Sequence, residues 1–199
     1  AYLLGEVAFQ KEQYENALTF FEKAVPIKNK EQAIWYPALL KKQAVSNLRL
    51  AQTLEDEEAK EAHFHHSEKL LKRLTQLRGE VEEGILELSR SYLEHARELN
   101  RPDYYSRVEK LLSNTNLRFT PEQEGESLLL RAEASDSYAH RESLFHTIFE
   151  EPRFNETEVR KRAFFYQGVN NMMRAREEIP AEAKVFLEKA NHFFTFAIN

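Results

Sequence analysis

Apolar residues recur at helical spacing along nearly the whole 199-residue chain, and no segment keeps the apolar–polar alternation of a β-strand. The chain contains only 5 glycines and 6 prolines, too few for an all-β protein with a turn every ~10 residues. Residues that favour helices, such as glutamate, leucine, alanine, lysine and arginine, are abundant. The sequence therefore predicts an all-α fold of long helices and short connections.

Capping residues and breaks divide this pattern into about ten helices. The segment Thr120-Pro121-Glu122-Gln123 has the form of a capping box, with proline at the first helical position. Asn155 is expected to cap a helix by the same logic, the pair Asn29 and Gln32 is a weaker copy, and Pro180 opens a further helix. The predicted breaks lie near residues 11–12, 26–29, 55–58, 79, 100–102, 114–121, 135–137, 151–154 and 177–180.

Two glycines lie inside apolar helical patterns, Gly5 and Gly168. Glycine in a helix costs about 1 kcal/mol relative to alanine. Close approach of two helices is the usual compensation for that cost, so we expect a tightly packed neighbour at both positions.

The first 26 residues carry a spaced set of small and large apolar residues, namely Leu4-Gly5, Ala8, Tyr14, Ala17, Phe21 and Ala24. These offsets resemble the tetratricopeptide repeat family, in which small residues bring the two helices of a hairpin together and large ones fill the groove against the next hairpin. The set recurs at constant offset as Leu128-Leu129, Ala132, Tyr138, Arg141, Phe145 and Ile148. Weaker matches are Phe64, Ser67, Leu71 and Leu74; Leu88, Ser89, Tyr92, Tyr105, Val108 and Leu112; and Gly168, Ala183, Leu187 and Ala190, the last with extra residues between the helices.

The resemblance implies an αα-hairpin repeat solenoid, a right-handed superhelix of about five hairpins. Its approximate repeats are residues 1–29, 30–78, 79–119, 120–154 and 155–199. They average about 40 residues, against 34 in the family, and are irregular. Another αα-hairpin repeat fold and an irregular helical bundle stay open as alternatives.

Tetratricopeptide arrays typically bind a peptide or a partner helix in a concave groove lined by the first helix of each hairpin. The resemblance therefore implies a protein-interaction scaffold within a larger assembly and not an enzyme. Groove positions carried across residue by residue are Tyr2, Glu6 and Phe9; Glu83, Leu86, Arg90 and Leu93; Leu130 and Glu133; and Arg162, Phe165, Val169, Met172 and Met173. The register of the second repeat does not allow the same mapping.

Two of these positions depart from one subfamily, which clamps acidic chaperone tails with lysine and asparagine. This chain has Tyr2 and Glu6 there, so a co-chaperone of that kind is not expected. The mixed groove with an apolar end suits an amphipathic or extended partner better. Core packing against a following helix is the alternative role of Phe165, Val169, Met172 and Met173.

Composition excludes several function classes. The absence of cysteine excludes disulfides, thiolate metal sites and a cysteine nucleophile. A net charge of -5 argues against binding to nucleic acid, and no apolar run approaches the roughly 18 to 20 residues that span a bilayer. Motifs of elbow-type hydrolases, P-loops and dinucleotide folds are missing, so we predict no cofactor.

One cluster, His63, His65 and His66, suggests metal chemistry. His63 and His66 lie three residues apart on a helix and could reach one ion, whereas His65 points elsewhere. A surface patch is the simpler interpretation, and a metal-dependent enzyme or regulator is the alternative of another class. The segment Ser135-Asp136-Ser137 with His140 contains triad residue types, but it lies in a predicted turn where capping is the expected role.

The predicted last helix is apolar nearly all round, through Phe186, Leu187, Ala190, Phe193, Phe194, Phe196 and Ile198. A solenoid needs a polar helix at its end, so we expect this helix to meet another domain, a further repeat or a second copy of the chain. The chain begins without methionine inside an amphipathic pattern, which we interpret as a fragment of a longer protein. Localisation therefore stays open: the cytoplasm is favoured, and the periplasm or another envelope location is allowed. A secretion chaperone of tetratricopeptide type is an alternative function in the same broad class.

Overall fold

A computed structural model describes residues 1–24, 33–114 and 116–198. It is 81% helical and has no strand among these residues. The described helices are α1 Tyr2–Gln10, α2 Tyr14–Ala24, α3 Tyr36–Thr53, α4 Glu57–Leu74, α5 Val81–Glu98, α6 Asp103–Leu112, α7 Pro121–Ala134, α8 Tyr138–Glu150, α9 Glu158–Glu177 and α10 Pro180–Ile198. The predicted all-α class and helix number are confirmed for this part of the chain. The predicted break at 26–29 and the pair Asn29 and Gln32 lie outside the described residues.

The helices fold into two compact units, Ala1–Arg107 with Asn114–Leu117, and Val108–Ser113 with Arg118–Asn199. In the first unit, each of the helices α1 to α4 packs against the helix that follows it, and α3 also contacts both α1 and α5. In the second unit, α8 packs between α7 and α9, α9 packs on α10, and α7 also contacts α9. Within the described residues, each of the five predicted segments contains two α-helices.

The core of the second unit lies where α7, α8 and α9 meet. Its buried members are Leu128, Leu129, Ala132, Leu144, Phe145, Ile148, Phe154, Val159 and Ala163. At its edge the Phe149 and Phe164 rings stack with centroids 4.5 Å apart, and the Phe193 ring of α10 lies 6.0 Å from that of Phe149. The apolar residues that the sequence spaces at helical intervals thus supply one continuous core for α7, α8 and α9.

The predicted helix starts are largely confirmed. Thr120 forms the complete capping box with Gln123 at the start of α7, and α10 begins at Pro180. Ser137 caps α8 by accepting a hydrogen bond from the His140 backbone N–H at 3.3 Å, which confirms a capping role for serine in this turn.

The prediction that Asn155 caps a helix is wrong. The residues Pro152–Phe154 form a 3-10 turn, and Glu156 adopts a left-handed backbone with φ of 62°. The α-helix therefore starts later, and Thr157 caps α9 by accepting from the Arg160 backbone N–H at 3.3 Å. Asparagine and threonine are both favoured cap residues, and here the preceding turn selects Thr157.

Replacing Thr157 with alanine is therefore expected to lower the free energy of unfolding by about 1 kcal/mol, since one donor of the first turn of α9 loses its acceptor. The same replacement at the exposed Asn155 is expected to cost less than half as much. Urea unfolding followed by circular dichroism measures both. An equal loss at the two positions, or a loss that Thr157→Ser does not restore, would contradict the assigned cap.

Both glycines predicted to sit at close helix contacts do so. A Cβ atom on Gly5 would lie 2.4 Å from the Phe21 ring, and one on Gly168 would lie 2.5 Å from the Phe194 ring. Because the two contacts are alike, Phe194 occupies in α10 the position that Phe21 occupies in α2. The sequence match of Ala183, Leu187 and Ala190 to α2 is therefore wrong by two helical turns; the equivalents are Ala190, Phe194 and Ala197.

The same buried amide pair occurs in α3 and in α9. The side chain of Asn47 in α3 donates to the Gln43 carbonyl oxygen at 2.8 Å. In α9 the side chain of Asn171 donates to the Gln167 carbonyl oxygen at the same distance, and all four side chains are buried. Gln43 and Asn47 in α3 are thus bonded in the same way as Gln167 and Asn171 in α9.

Candidate partner-binding surface

The predicted groove residues of α1 are engaged within the first unit. The Tyr2 ring lies 5.4 Å from that of Trp35, and partial burial and a hydrogen bond to Glu6 raise the pKa of Tyr2 to about 12. Glu6 forms an ion pair with Lys42 of α3. The Phe9 ring lies 5.9 Å from that of Tyr14 in α2. These three side chains hold α1 to its neighbours more than they offer a free surface.

Three predicted groove leucines are buried. Leu86 of α5 is 1% exposed, and Leu93 of α5 and Leu130 of α7 are also buried. Side chains with so little exposure contact other parts of this chain and cannot touch a partner where they stand. The expected role of these three positions therefore changes from binding to packing. Sequence spacing alone does not separate the two roles, because both place an apolar residue on the same helical face.

Charged residues near the α5 leucines form ion pairs that join α3 to α5. Lys41 of α3 lies 2.7 Å from Glu87 of α5 and also bonds Glu83, and Glu87 lies 2.8 Å from Arg90. Partial burial alone would lower the pKa of Lys41, but its hydrogen bonds to the two glutamates outweigh this effect and raise it. Lys41 thus stays charged and shared between two carboxylates.

The second unit repeats this arrangement in α7 and α9. Arg162 of α9 forms an ion pair with Glu126 of α7, although the sequence placed Arg162 among the groove residues. Glu133 of α7 is partly exposed. Arg162 is therefore engaged within the second unit.

The remaining groove prediction falls on α9, where Phe165, Val169 and Met172 form what we call the α9 stripe. Their spacing of four and three residues places them on one helical face. Phe165 is 50% exposed, and Val169 and Met172 are partly exposed, although α7, α8 and α10 all pack against α9. The α9 stripe is thus an apolar part of the predicted groove that stays accessible. Met173, also predicted, is exposed and lies beside Arg141 of α8 at 3.8 Å.

The last helix, α10, which the sequence predicts to be apolar nearly all round, is only partly buried. Ala190 is buried, and Phe186, Phe193 and Phe194 are partly exposed. The Phe194 ring lies 5.7 Å from that of Phe165. Four further apolar side chains of α10 are exposed: Val185, Leu187, Phe196 and Ile198. One neighbouring helix therefore does not cover the apolar arc of α10.

The three histidines of α4 do not converge. His63 donates from Nδ1 to the Asn47 side-chain oxygen at 2.8 Å, and burial, reinforced by His66, lowers its pKa. His63 and His66 line a groove of about 420 Å³ that Glu22 and Leu18 of α2 also border. His65 lines a different groove of about 720 Å³, with Lys69 and Lys72. Among the described residues, no group of three or more histidines and carboxylates is placed to hold a metal ion.

Sequence analysis missed a buried histidine in α5. His95 stacks on the Phe64 ring with centroids 4.5 Å apart and an interplanar angle of 4°, and it lies 4.0 Å from the Tyr104 ring. Burial, with a smaller contribution from the nearby His65, lowers its pKa to about 4. Its Nε2 has no hydrogen-bond partner among the described residues. The sequence does place His95 on an apolar helical face, three residues after Tyr92 and four before Leu99. A histidine at such a position is equally compatible with the surface, so the pattern alone did not predict its burial.

Comparison of the chain with models of protein families, with curated proteins and with solved structures finds no match in any of the three. The described part of the chain contains no helix that combines the length and apolar character needed to cross a membrane. The interpretation of function therefore depends on the surfaces of the molecule itself.

Proposed function

We propose that this chain is a protein-interaction scaffold of tetratricopeptide-like hairpins that binds a partner protein at the α9 stripe. The observation that carries the proposal is that Phe165 is half exposed, and Val169 and Met172 partly exposed, on one face of a helix that α7, α8 and α10 contact. Soluble proteins seldom leave a contiguous apolar surface without a binding role.

The repeat character of the hairpins supports this proposal. The contact of Gly5 with Phe21 recurs as that of Gly168 with Phe194, and the buried amide pattern of Gln43 recurs at Gln167. Hairpins with equivalent contacts present equivalent faces, and arrays of such hairpins use the exposed faces of their helices for binding.

The chemistry of the stripe defines the partner segment. Its three apolar side chains span two helical turns, which matches anchors at i, i+4 and i+7 on an amphipathic helix. Arg176 lies one turn beyond Met172 and is exposed. We therefore expect a partner helix with an apolar face and an acidic residue at the end that meets Arg176.

Replacing Phe165 with aspartate is expected to reduce partner capture at least about 30-fold, because a charge would be buried without a partner in the contact. The chain is used as bait in a lysate of its source organism, and retained proteins are quantified by mass spectrometry. The helical circular dichroism should not change, since Phe165 is half exposed.

A matched control is Ile34→Asp, which introduces the same charge at a side chain that is 99% exposed. The proposal requires one retained protein that is lost with Phe165→Asp and kept with Ile34→Asp. Equal retention by both variants, or no specific protein with the folded wild type, would contradict binding at the α9 stripe.

A further inference from the structure

A groove of about 420 Å³ lies in the first unit between α2 and α4, and we call it the α2–α4 groove. Its α3 residues are buried, and those of α2 and α4 are exposed or partly exposed, so α3 forms the floor. This volume, with apolar walls and a few polar groups, is typical of a ligand-binding site. The described residues that line it are Leu18 and Glu22; Gln43 and Asn47; and Ala59, Ala62, His63, His66 and Leu70.

The floor of the groove contains a buried amide without a partner. Gln43 is 7% exposed, and its side-chain amide makes no hydrogen bond with any of the described residues. Burial of an amide without a hydrogen bond costs free energy, and most buried side-chain amides are therefore paired. Because Gln43 lines the groove, a group that enters from outside the chain can supply the missing partner. The floor thus indicates a ligand with hydrogen-bonding groups.

The hydrogen bonds of Asn47 determine which nitrogen of His63 can accept. Asn47 donates from Nδ2 to the Gln43 carbonyl oxygen at 2.8 Å, so its Oδ1 faces the Nδ1 of His63, also at 2.8 Å. Nδ1 therefore carries the proton, and Nε2 of the neutral ring is an acceptor. Burial, with a smaller contribution from His66, lowers the pKa of His63 and keeps the ring neutral at pH 7. His63 makes no second hydrogen bond within the described part of the chain, so Nε2 is available to a ligand.

The charges at the rim of the groove favour a cation. Glu22 is exposed and supplies a carboxylate from α2. Glu15, also in α2, lies close enough to His63 to oppose the lowering of its pKa. None of the described lining residues is a lysine or an arginine. The groove therefore offers hydrogen-bond acceptors and negative charge, whereas Leu18 and Leu70 supply apolar walls that can cover a methylene chain.

We propose that the α2–α4 groove binds a guanidinium group on a short methylene stem, as in an arginine side chain. A guanidinium has five N–H donors in one plane and no acceptor, so it complements a site that is rich in acceptors. In the groove it donates to Glu22, to Nε2 of His63 and to the side-chain oxygen of Gln43, and the stem packs between Leu18 and Leu70. An ammonium group is more strongly hydrated and presents its donors from one point, so it fits acceptors on three helices less well.

Nuclear magnetic resonance of the purified ¹⁵N-labelled chain tests the proposal at pH 7. The probe is Nα-acetyl-arginine methylamide, and the control is the citrulline analogue, in which an uncharged urea of the same shape replaces the guanidinium. We expect the arginine probe to shift the side-chain amide signals of Gln43 with a Kd of roughly 1 mM, the affinity of a ligand of this size. The citrulline analogue should bind at least about tenfold more weakly. Equal binding of the two compounds, or no shift at Gln43, would overturn the proposal.

The same titration with free arginine separates two sources of the guanidinium. Binding of free arginine at least about tenfold tighter than that of the probe indicates the amino acid itself, because only the free amino acid has charged ends. Binding of free arginine that is equal or weaker indicates the side chain of a peptide. Either result agrees with recognition of the guanidinium and identifies its source.

Two variants connect binding to the groove. Glu22→Gln should weaken binding of the arginine probe at least about tenfold, since it removes a carboxylate that pairs with the guanidinium. The matched control is Glu150→Gln, at an exposed position of α8, which should leave binding unchanged.

Gln43→Leu should also weaken binding, and it should raise the melting temperature of the free chain because an unpaired amide leaves the core. A residue that only stabilises the fold would lower the melting temperature on replacement. Unchanged binding of the arginine probe in Glu22→Gln or in Gln43→Leu would overturn the proposal.

The α2–α4 groove belongs to the first unit and the α9 stripe to the second, so the two proposals fail independently. Phe165→Asp should leave binding of the arginine probe unchanged, and Glu22→Gln should leave capture of the partner protein unchanged. If the arginine probe does not bind and the α9 stripe still binds a partner, the assignment of the groove is wrong and the scaffold function stands.

Discussion

Replacing Phe145 with alanine is expected to lower the free energy of unfolding by about 3–5 kcal/mol, the range for deleting a buried phenylalanine ring. Phe145 is buried in the core that α7, α8 and α9 share, so the deletion leaves a cavity among side chains that come from three helices. The same replacement at Phe165, which is half exposed, is expected to cost about 1 kcal/mol or less. Urea unfolding followed by circular dichroism at 222 nm measures both.

The comparison of the two phenylalanines decides whether Phe165 is part of the core or of the surface. A loss at Phe165 as large as that at Phe145 would show that the ring stabilises the fold, and the α9 stripe would then lose its main anchor. A small loss of unfolding free energy at both positions would contradict the burial of Phe145 in the core of α7, α8 and α9.

Acidification is expected to lower the free energy of unfolding by about 3 kcal/mol through His95 alone. Burial holds the pKa of this imidazole at about 4 in the folded chain, against an ordinary value of 6.5. The unfolded chain therefore takes up a proton between these values and the folded chain does not. The stabilisation is complete above pH 6.5 and is lost as the pH falls towards 4.

The charged groups around His95 do not cancel this effect. His65 and Arg101 oppose protonation of the ring, whereas Glu61 and Glu68 favour it less strongly than burial opposes it. His95→Leu should therefore remove most of the fall of about 3 kcal/mol in the free energy of unfolding between pH 6.5 and 4. The part of the fall that comes from carboxylates stays. The matched control is the exposed His140, whose replacement with leucine should leave the slope unchanged. An unaltered slope in His95→Leu would mean that His95 is not a neutral core residue.

Helix positions and close contacts follow from local physics, and the sequence predicted them well. Thr120 with Gln123 and Pro180 fix helix starts through hydrogen bonds and backbone geometry within four residues. Gly5 and Gly168 were predicted at close contacts because glycine in a helix needs a compensating neighbour, and the rings of Phe21 and Phe194 supply it.

Features that depend on tertiary packing could not be predicted in the same way. Asn155 and Thr157 are both good caps, and the 3-10 turn before them selects Thr157. The sequence match of Leu187 to Phe21 was wrong by seven residues. Residues seven apart lie on the same face of a helix, so spacing alone fits both Leu187 and Phe194, and the contact of Gly168 with Phe194 selects Phe194. Leu86 and Phe165 look alike in sequence, yet one is buried and the other half exposed.

The most direct test of partner binding at the α9 stripe is site-specific photo-crosslinking from this surface. A photoreactive phenylalanine analogue is placed at residue 165, and at residue 34 as an exposed control, and each chain is irradiated in a lysate of its source organism. We expect residue 165 to crosslink to one partner protein through an apolar helical segment of that partner, and residue 34 not to crosslink to it. Equal labelling from both residues, or no crosslinked protein from residue 165 of the folded chain, would contradict a partner-binding role for this surface.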